Sequence, residues 1–350
     1  ALPILLTMVN KGVNFTKFLA DGSTPASRYT LSASDTAFTS GNDAANNLIT
    51  LIKSGLTLSA GNDFAGLSNS NLSLANAKLL LTSSGNAIFA NDHSNILQLS
   101  STDLSGTQFT GITIPTLRAL SAQHVDVIRP ISGLVTQAQV DAIVGAGGSD
   151  IRFSSNTILQ LTSTAAVDAA IVDTINFGAL GITKANIGIS GLSFTEAQGL
   201  ISKGITSVNA GLTLQISASD NLENVSIGTL RAISAMGITT ASSAGGAIAY
   251  DDVNALLTAN PSIQFAPNTT VDLAGETVSV SMIANLSGMG LQLSLPPGTT
   301  ITASTLSLSD AYSMALKGLS FGSGTSTPIQ INAALTDGSA RSEERRVGKE

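Results

Sequence analysis

One string in this 350-residue sequence has the spacing of a hydrolase nucleophile, since Gly318-Leu-Ser320-Phe-Gly322 fits G-x-S-x-G. That chemistry needs a serine on a sharp turn between a strand and a helix, with its histidine later in the chain. Here Ser320 follows a helical pattern, and the only histidines, His93 and His124, both precede it. The string therefore reads as a loop serine. His124 falls where a helix should end, a position in which imidazole can meet the last carbonyls and the helix dipole. His93 reads as a solvated loop residue. With no cysteine there is no thiolate nucleophile and no disulfide, and two histidines do not build a usual zinc site. No G-x-G-x-x-G, Walker A or H-E-x-x-H string occurs.

The acidic residues suggest one further chemistry. Gly41-Asn-Asp43 and Gly61-Asn-Asp63 repeat one short string, and hard oxygen ligands suit calcium. A calcium β-roll needs consecutive glycine-and-aspartate nonapeptides, however, so Asx-turns explain both strings at less cost. Asp251-Asp252 reads as first-turn acid on a helix, and the remaining carboxylates are scattered among loops and helix starts. Arg118 and Arg231 recur in one motif and read as outer-face solubilising residues. With three Tyr and no Trp, aromatic platforms for sugars are disfavoured, although a surface of Asn, Thr and Ser can bind glycans weakly. No catalytic, cofactor-binding or metal-ligating residue is assigned, and no cofactor is expected.

The elements that would position any such group come from an unusual composition. Lys and Arg number 16 and Asp and Glu 23, while Ser, Thr and Asn number 46, 37 and 23. Hydroxyls and amides thus supply the polarity that charges usually supply. A net charge of −7 disfavours nucleic acid, whose binding rests on clustered Lys and Arg. The longest apolar run, Leu2 to Leu6, is far short of the roughly 20 residues that span a bilayer, and no charged leader is evident. The last ten residues, 341–350, resemble a translated sequencing adapter and are set aside. The chain opens within a repeat and is expected to be an internal segment of a longer protein.

Internal repetition organises residues 1–340. Leu192-Ser-Phe-Thr-Glu-Ala-Gln-Gly-Leu-Ile-Ser-Lys-Gly-Ile205 matches Leu306 through Leu319 at an offset of 114, and Thr116 through Ala122 matches Thr229 through Ala235 at 113. Both offsets are twice a period of about 57, which holds two unlike units. The first type recurs from Leu72, Leu134 and Ile248; the second ends on glycine at Gly181 and Gly237, and also at Gly55 and Gly290. Ser193 with Glu196, and Thr136 with Gln139, have capping-box spacing. Gly204 and Gly318 stand where a helix end turns left-handed. Alternating Leu-Gln-Leu strings at Leu97, Leu159 and Leu214 read as strand, and Phe15, Phe89, Phe153, Phe265 and Phe321 occupy one position, with Val208 in the remaining copy.

These patterns predict an α/β solenoid of stacked strand and short-helix repeats, with parallel strands on one side, helices on the other, and an interior ladder of the phenylalanines. Residues 1–340 form a single array. The alternation of L-[ST]-x-x-x-A with T-L-R-A-[LI]-S-A resembles the repeats of very large secreted or surface proteins of bacteria, adhesin-like strand-repeat proteins. That resemblance implies a non-catalytic structural or adhesive segment, extracellular or at the cell surface. Its partners would be cell-surface glycans or other surface proteins, with no nucleic acid and no membrane span, and with self-association open to the array. The alternatives are a carbohydrate-active solenoid enzyme and a calcium-dependent surface-layer-type protein.

Overall fold

A computed structural model describes residues 2–13, 28–82, 88–104, 114–147, 150–294, 300–302, 305–307, 312 and 330–332. Phe15, Ser320, Phe321, Gly318 and residues 341–350 lie outside the described residues. The fold is α/β: short α-helices alternate with parallel strands, and every strand pairing among the described residues is parallel. None of the described sheets closes on itself. Parallel neighbours need a long crossover between them, which the helices supply. The chain divides into two compact units, residues 1–189 with 199–209, and residues 190–198 with 210–350.

The first unit holds two four-stranded sheets. One pairs Asn71–Ser73, Ile96–Leu99, Val127–Pro130 and Arg152–Phe153, in that order; the other pairs Leu134–Thr136, Ile158–Leu161, Lys184–Ile187 and Ser207–Val208. In the second unit Gly191–Ser193, Thr213–Ile216, Thr240–Ser243 and Gln264–Phe265 form another sheet of four, and Ile248–Ala249, Thr270–Asp272 and Gln292–Ser294 a sheet of three. Strands that start at 134, 158, 184 and 207 thus recur at 191, 213, 240 and 264, one sequence period further on. The period seen in the sequence is therefore the offset from one sheet to the next.

Alternation within each strand separates an inner from an outer row. In the first sheet Leu72, Leu97, Ile128 and Phe153 stand in register, each no more than 4% exposed. Leu192, Leu214 and Ala241 do the same in the third sheet, with Phe265 completing the row only half-buried. Successive strand side chains point to opposite faces, so the apolar residues at every second position share one side.

The phenylalanines behave differently from the expected ladder. Phe153, Val208 and Phe265 do hold equivalent places, but each is the last position of its own sheet row, beside Ile128, Ala185 and Ala241. Phe89 bridges to Leu67. Among the described residues no phenylalanine ring contacts another. The two-unit period explains this, because the next copy of the motif belongs to a new sheet and not to the next strand of the same one.

Helix ends follow the sequence closely. Ser193 N–H donates to Glu196 Oε2 at 2.7 Å and Glu196 N–H to Ser193 Oγ at 3.2 Å, opening the helix Phe194–Ser202. Thr136 N–H likewise donates to Gln139 Oε1 at 2.9 Å at the start of Gln137–Gly147. Each reciprocal pair satisfies two orphan donors of a first turn. The second-type motif forms Ile114–Ser121 and Ile227–Ala235; past their ends His124 (φ +62°) and Gly237 (φ +107°) both turn left-handed.

Candidate functional site

The two histidines, well separated in sequence, meet in space. His93 sits at φ +53° in a turn in which Asp92 Oδ1 accepts from Ser94 N–H and Oγ at 3.0 and 2.6 Å. Its ring stands edge-on to that of His124, centroids 4.9 Å apart at 81°. His93 Nδ1 lies 2.6 Å from Asp126 Oδ2, whose side chain is only 2% exposed against 51% for the histidine. The second oxygen, Asp126 Oδ1, is buried and has no hydrogen-bond partner among the described residues. His93 is thus an exposed turn residue, as its sequence context suggested, and in addition it meets His124 and a buried aspartate. Both histidines occupy left-handed backbone, which His tolerates better than most residues, and this is the one local feature they share.

A buried aspartate that accepts from Nδ1–H leaves Nε2 as the basic atom of the ring, which is the base half of a nucleophile–histidine–acid arrangement. Among the described residues no hydroxyl hydrogen-bonds either histidine ring. Nor do the described residues contain a group of three or more His, Asp or Glu able to hold a metal ion.

Two pairs of carboxylates come together that the sequence showed as scattered. Asp252, in the first turn of Tyr250–Ala259, is 1% exposed; its Oδ1 accepts from Leu222 N–H, and it lies beside Glu223. Burial, reinforced by Glu223, pushes its carboxyl up to about 6. It is thus a buried acid in a hydrogen-bonded contact and not only a first-turn dipole partner. Asp141, in Gln137–Gly147, is pushed up to about 6 by burial and by Asp173 beside it. Burial acts on Asp173 too, yet hydrogen bonds from Gln137 Nε2 (2.7 Å) and Ile175 N–H (3.1 Å) hold it below the usual carboxylate range. Lys203 Nζ donates to the Asp173 carbonyl.

These values set a pH dependence. A carboxyl raised in the folded state keeps its proton where the unfolded chain has released it, so its stabilisation is full below the ordinary value near 3.8 and is lost as pH rises through about 6. The melting temperature should therefore fall between pH 4.5 and 7. Asp252→Asn keeps an acceptor for Leu222 N–H and adds a fixed donor toward Glu223. It should flatten that fall and melt higher than the parent at pH 7.5; an unchanged slope in thermal melts across this range would contradict the assignment.

The calcium candidates lie apart from such chemistry. Gly41-Asn-Asp43 opens the helix Gly41–Lys53, with Asp43 in its first turn and Asn42 Oδ1 accepting from Asn71 N–H at 2.7 Å, so an Asx-turn is not its explanation. Gly61-Asn-Asp63 follows the strand Thr57–Ala60 and forms a turn closed by Phe64 N–H to Gly61 O at 3.1 Å. Arg118 and Arg231 are both exposed.

The broadest polar feature is the outer face of the sheets. Ser73, Gln98 and Arg129 stand in register in the first sheet, Thr136, Gln160 and Asn186 in the second, and Ser193, Gln215 and Ser242 in the third. All are exposed or half-exposed. Every one of these side chains except Arg129 is an uncharged hydroxyl or amide. Such a row presents donors and acceptors at the strand spacing of about 4.8 Å without a field of either sign.

No known family model matches the chain, and no curated protein does.

Proposed function

We propose that this chain is a non-catalytic structural and adhesive segment of a large extracellular bacterial repeat protein, coiled as a solenoid with its strands along one side and its helices along the other. The supporting observation is the set of in-register polar rows, centred on Gln98, Gln160 and Gln215, that recur from sheet to sheet. A surface that repeats gains reach and valency, because several weak contacts engaged together exceed any one of them. The parallel pairing and the offset from sheet to sheet support the solenoid, since units that cannot bury their own apolar face do so against the next. Its partners are surface glycans or surface proteins whose polar groups match uncharged amides and hydroxyls. The His93–Asp126 contact serves in this reading to pin the turn at His93 to the strand that begins at Val127.

The test is a binding assay of beads carrying the chain against glycan-coated and protein-coated surfaces, with thermal melts in parallel. His93→Ala, His124→Ala and Ser320→Ala should each leave bead adhesion within about twofold of the parent. Loss of binding in one of these variants with an unchanged melt would overturn the scaffold reading and point to a discrete catalytic or binding centre.

A further inference from the structure

One copy of the repeat departs from the others at a cavity. The outer-row residue that is Asn186 in the second sheet and Ser242 in the third is Arg129 in the first, as the pairings with Gln160, Gln215 and Gln98 show. Two positions on, the N–H that donates to the end of the preceding strand belongs to Ile131 in the first sheet, to Gly188 in the second and to Ala244 in the third. Two small or neutral positions have thus become a cation and a large apolar side chain, and Ile131 is 65% exposed. Both line the same open cavity of about 370 Å³, together with Gln98, Ser132, Ser154 and Asn156.

The lining has a particular chemistry. Among the described residues the Arg129 guanidinium has no carboxylate and no hydrogen-bond partner, although acidic residues outnumber basic ones in this chain. The side chains of Gln98 and Asn156 likewise form no hydrogen bond among the described residues, so their amides are open to the cavity. A single guanidinium presents a fork that fits a carboxylate bidentately. Around it stand two amides and two hydroxyls, with Ile131 and Pro130 as an apolar wall. The volume suits a ligand of one or two sugar rings.

We infer that this cavity binds a carboxylate-bearing sugar, with the carboxylate on Arg129 and the ring hydroxyls on Gln98, Asn156 and the two serines. Phosphate is a poorer fit, because one cation in a chain of net charge −7 does not neutralise a polyanion. A bare carboxylate would leave the amides unused. The inference rests on the adhesive reading and gives it a ligand class at one place.

The experiment is a ligand-observed NMR titration of the full chain with glucuronate, the methyl glycoside of N-acetylneuraminate, glucose, acetate and inorganic phosphate, with bead adhesion measured alongside. Glucuronate or the neuraminate should bind at least about tenfold more tightly than glucose or acetate. Arg129→Gln should abolish that preference at an unchanged melting temperature, and Arg129→Lys, which keeps the charge and loses the fork, should fall between. Equal binding of acid and neutral sugars, indifference to Arg129→Gln, or equal or tighter binding of phosphate or acetate would overturn the inference. If adhesion survives while carboxylated sugars fail to bind, the subsite falls and the adhesive reading stands; if adhesion itself is absent, the broader reading falls.

Discussion

Phe153→Ala should destabilise the chain by about 3–5 kcal/mol, the range for removing a buried aromatic side chain and leaving a cavity. The cost belongs at the upper end of that range because the site cannot collapse. The backbone around Phe153 is held on both sides: Arg152 N–H donates to Asp126 O at 3.0 Å and Ser154 N–H to Ile128 O at 2.9 Å. Gly181 packs so closely that a Cβ built there would lie 2.6 Å from the Phe153 carbonyl oxygen. The void left beside Ile128 would therefore persist. Phe265 holds the equivalent place but is half-buried, and Phe265→Ala should cost less than half as much. Urea unfolding followed by circular dichroism measures both. Equal losses would mean that the end-of-row position, and not burial, sets the contribution.

Gly204→Ala should cost roughly 3 kcal/mol or more, from two sources that act together. Gly204 lies at φ +82° past the end of Phe194–Ser202, where an L side chain costs about 1–2 kcal/mol by itself. The new methyl would also stand 2.5 Å from Gly178 Cα and 2.8 Å from Gly178 N. Those are backbone atoms, fixed by the Gly178 N–H bond to Lys203 O at 2.9 Å, so neither side can move aside cheaply. Gly211 separates the two sources, since it has φ +88° with nothing among the described residues within 4 Å of its would-be Cβ. Gly211→Ala should lose only the conformational part, about 1–2 kcal/mol. A thermal melt of Gly204→Ala no lower than that of Gly211→Ala would show that the close approach to Gly178 carries no weight.

Much of the local structure was legible because it depends on neighbours within one helical turn. Ser193 with Glu196 and Thr136 with Gln139 form the reciprocal caps their spacing predicts, and His124 turns left-handed where other copies have glycine. The Leu-Gln-Leu strings are strands with leucine inward and glutamine outward. The phenylalanine ladder was not legible. Periodicity shows that Phe153 and Phe265 are equivalent, but equivalence does not say which strand lies beside which. The first sheet joins strands that start at 71, 96, 127 and 152, each about half a period from the next, so the copy of Phe153 in the following period, Val208, falls in a different sheet.

The sequence by itself determined the α/β alternation, the two-unit period, the helix ends and the scarcity of charge. Each of these is a property of single residues or of short spacings, which act before the chain is folded. The tertiary structure alone decided which distant polar groups share a site: His93 with Asp126, Asp141 with Asp173, Asp252 with the Leu222 amide, and Arg129 with Gln98 and Asn156. Those meetings cross from one strand or helix to another, so no spacing along the chain encodes them. They matter because burial changes what a polar group does. An aspartate in water is a solvating charge, whereas Asp252, closed off from water beside Glu223, holds its proton to about pH 6.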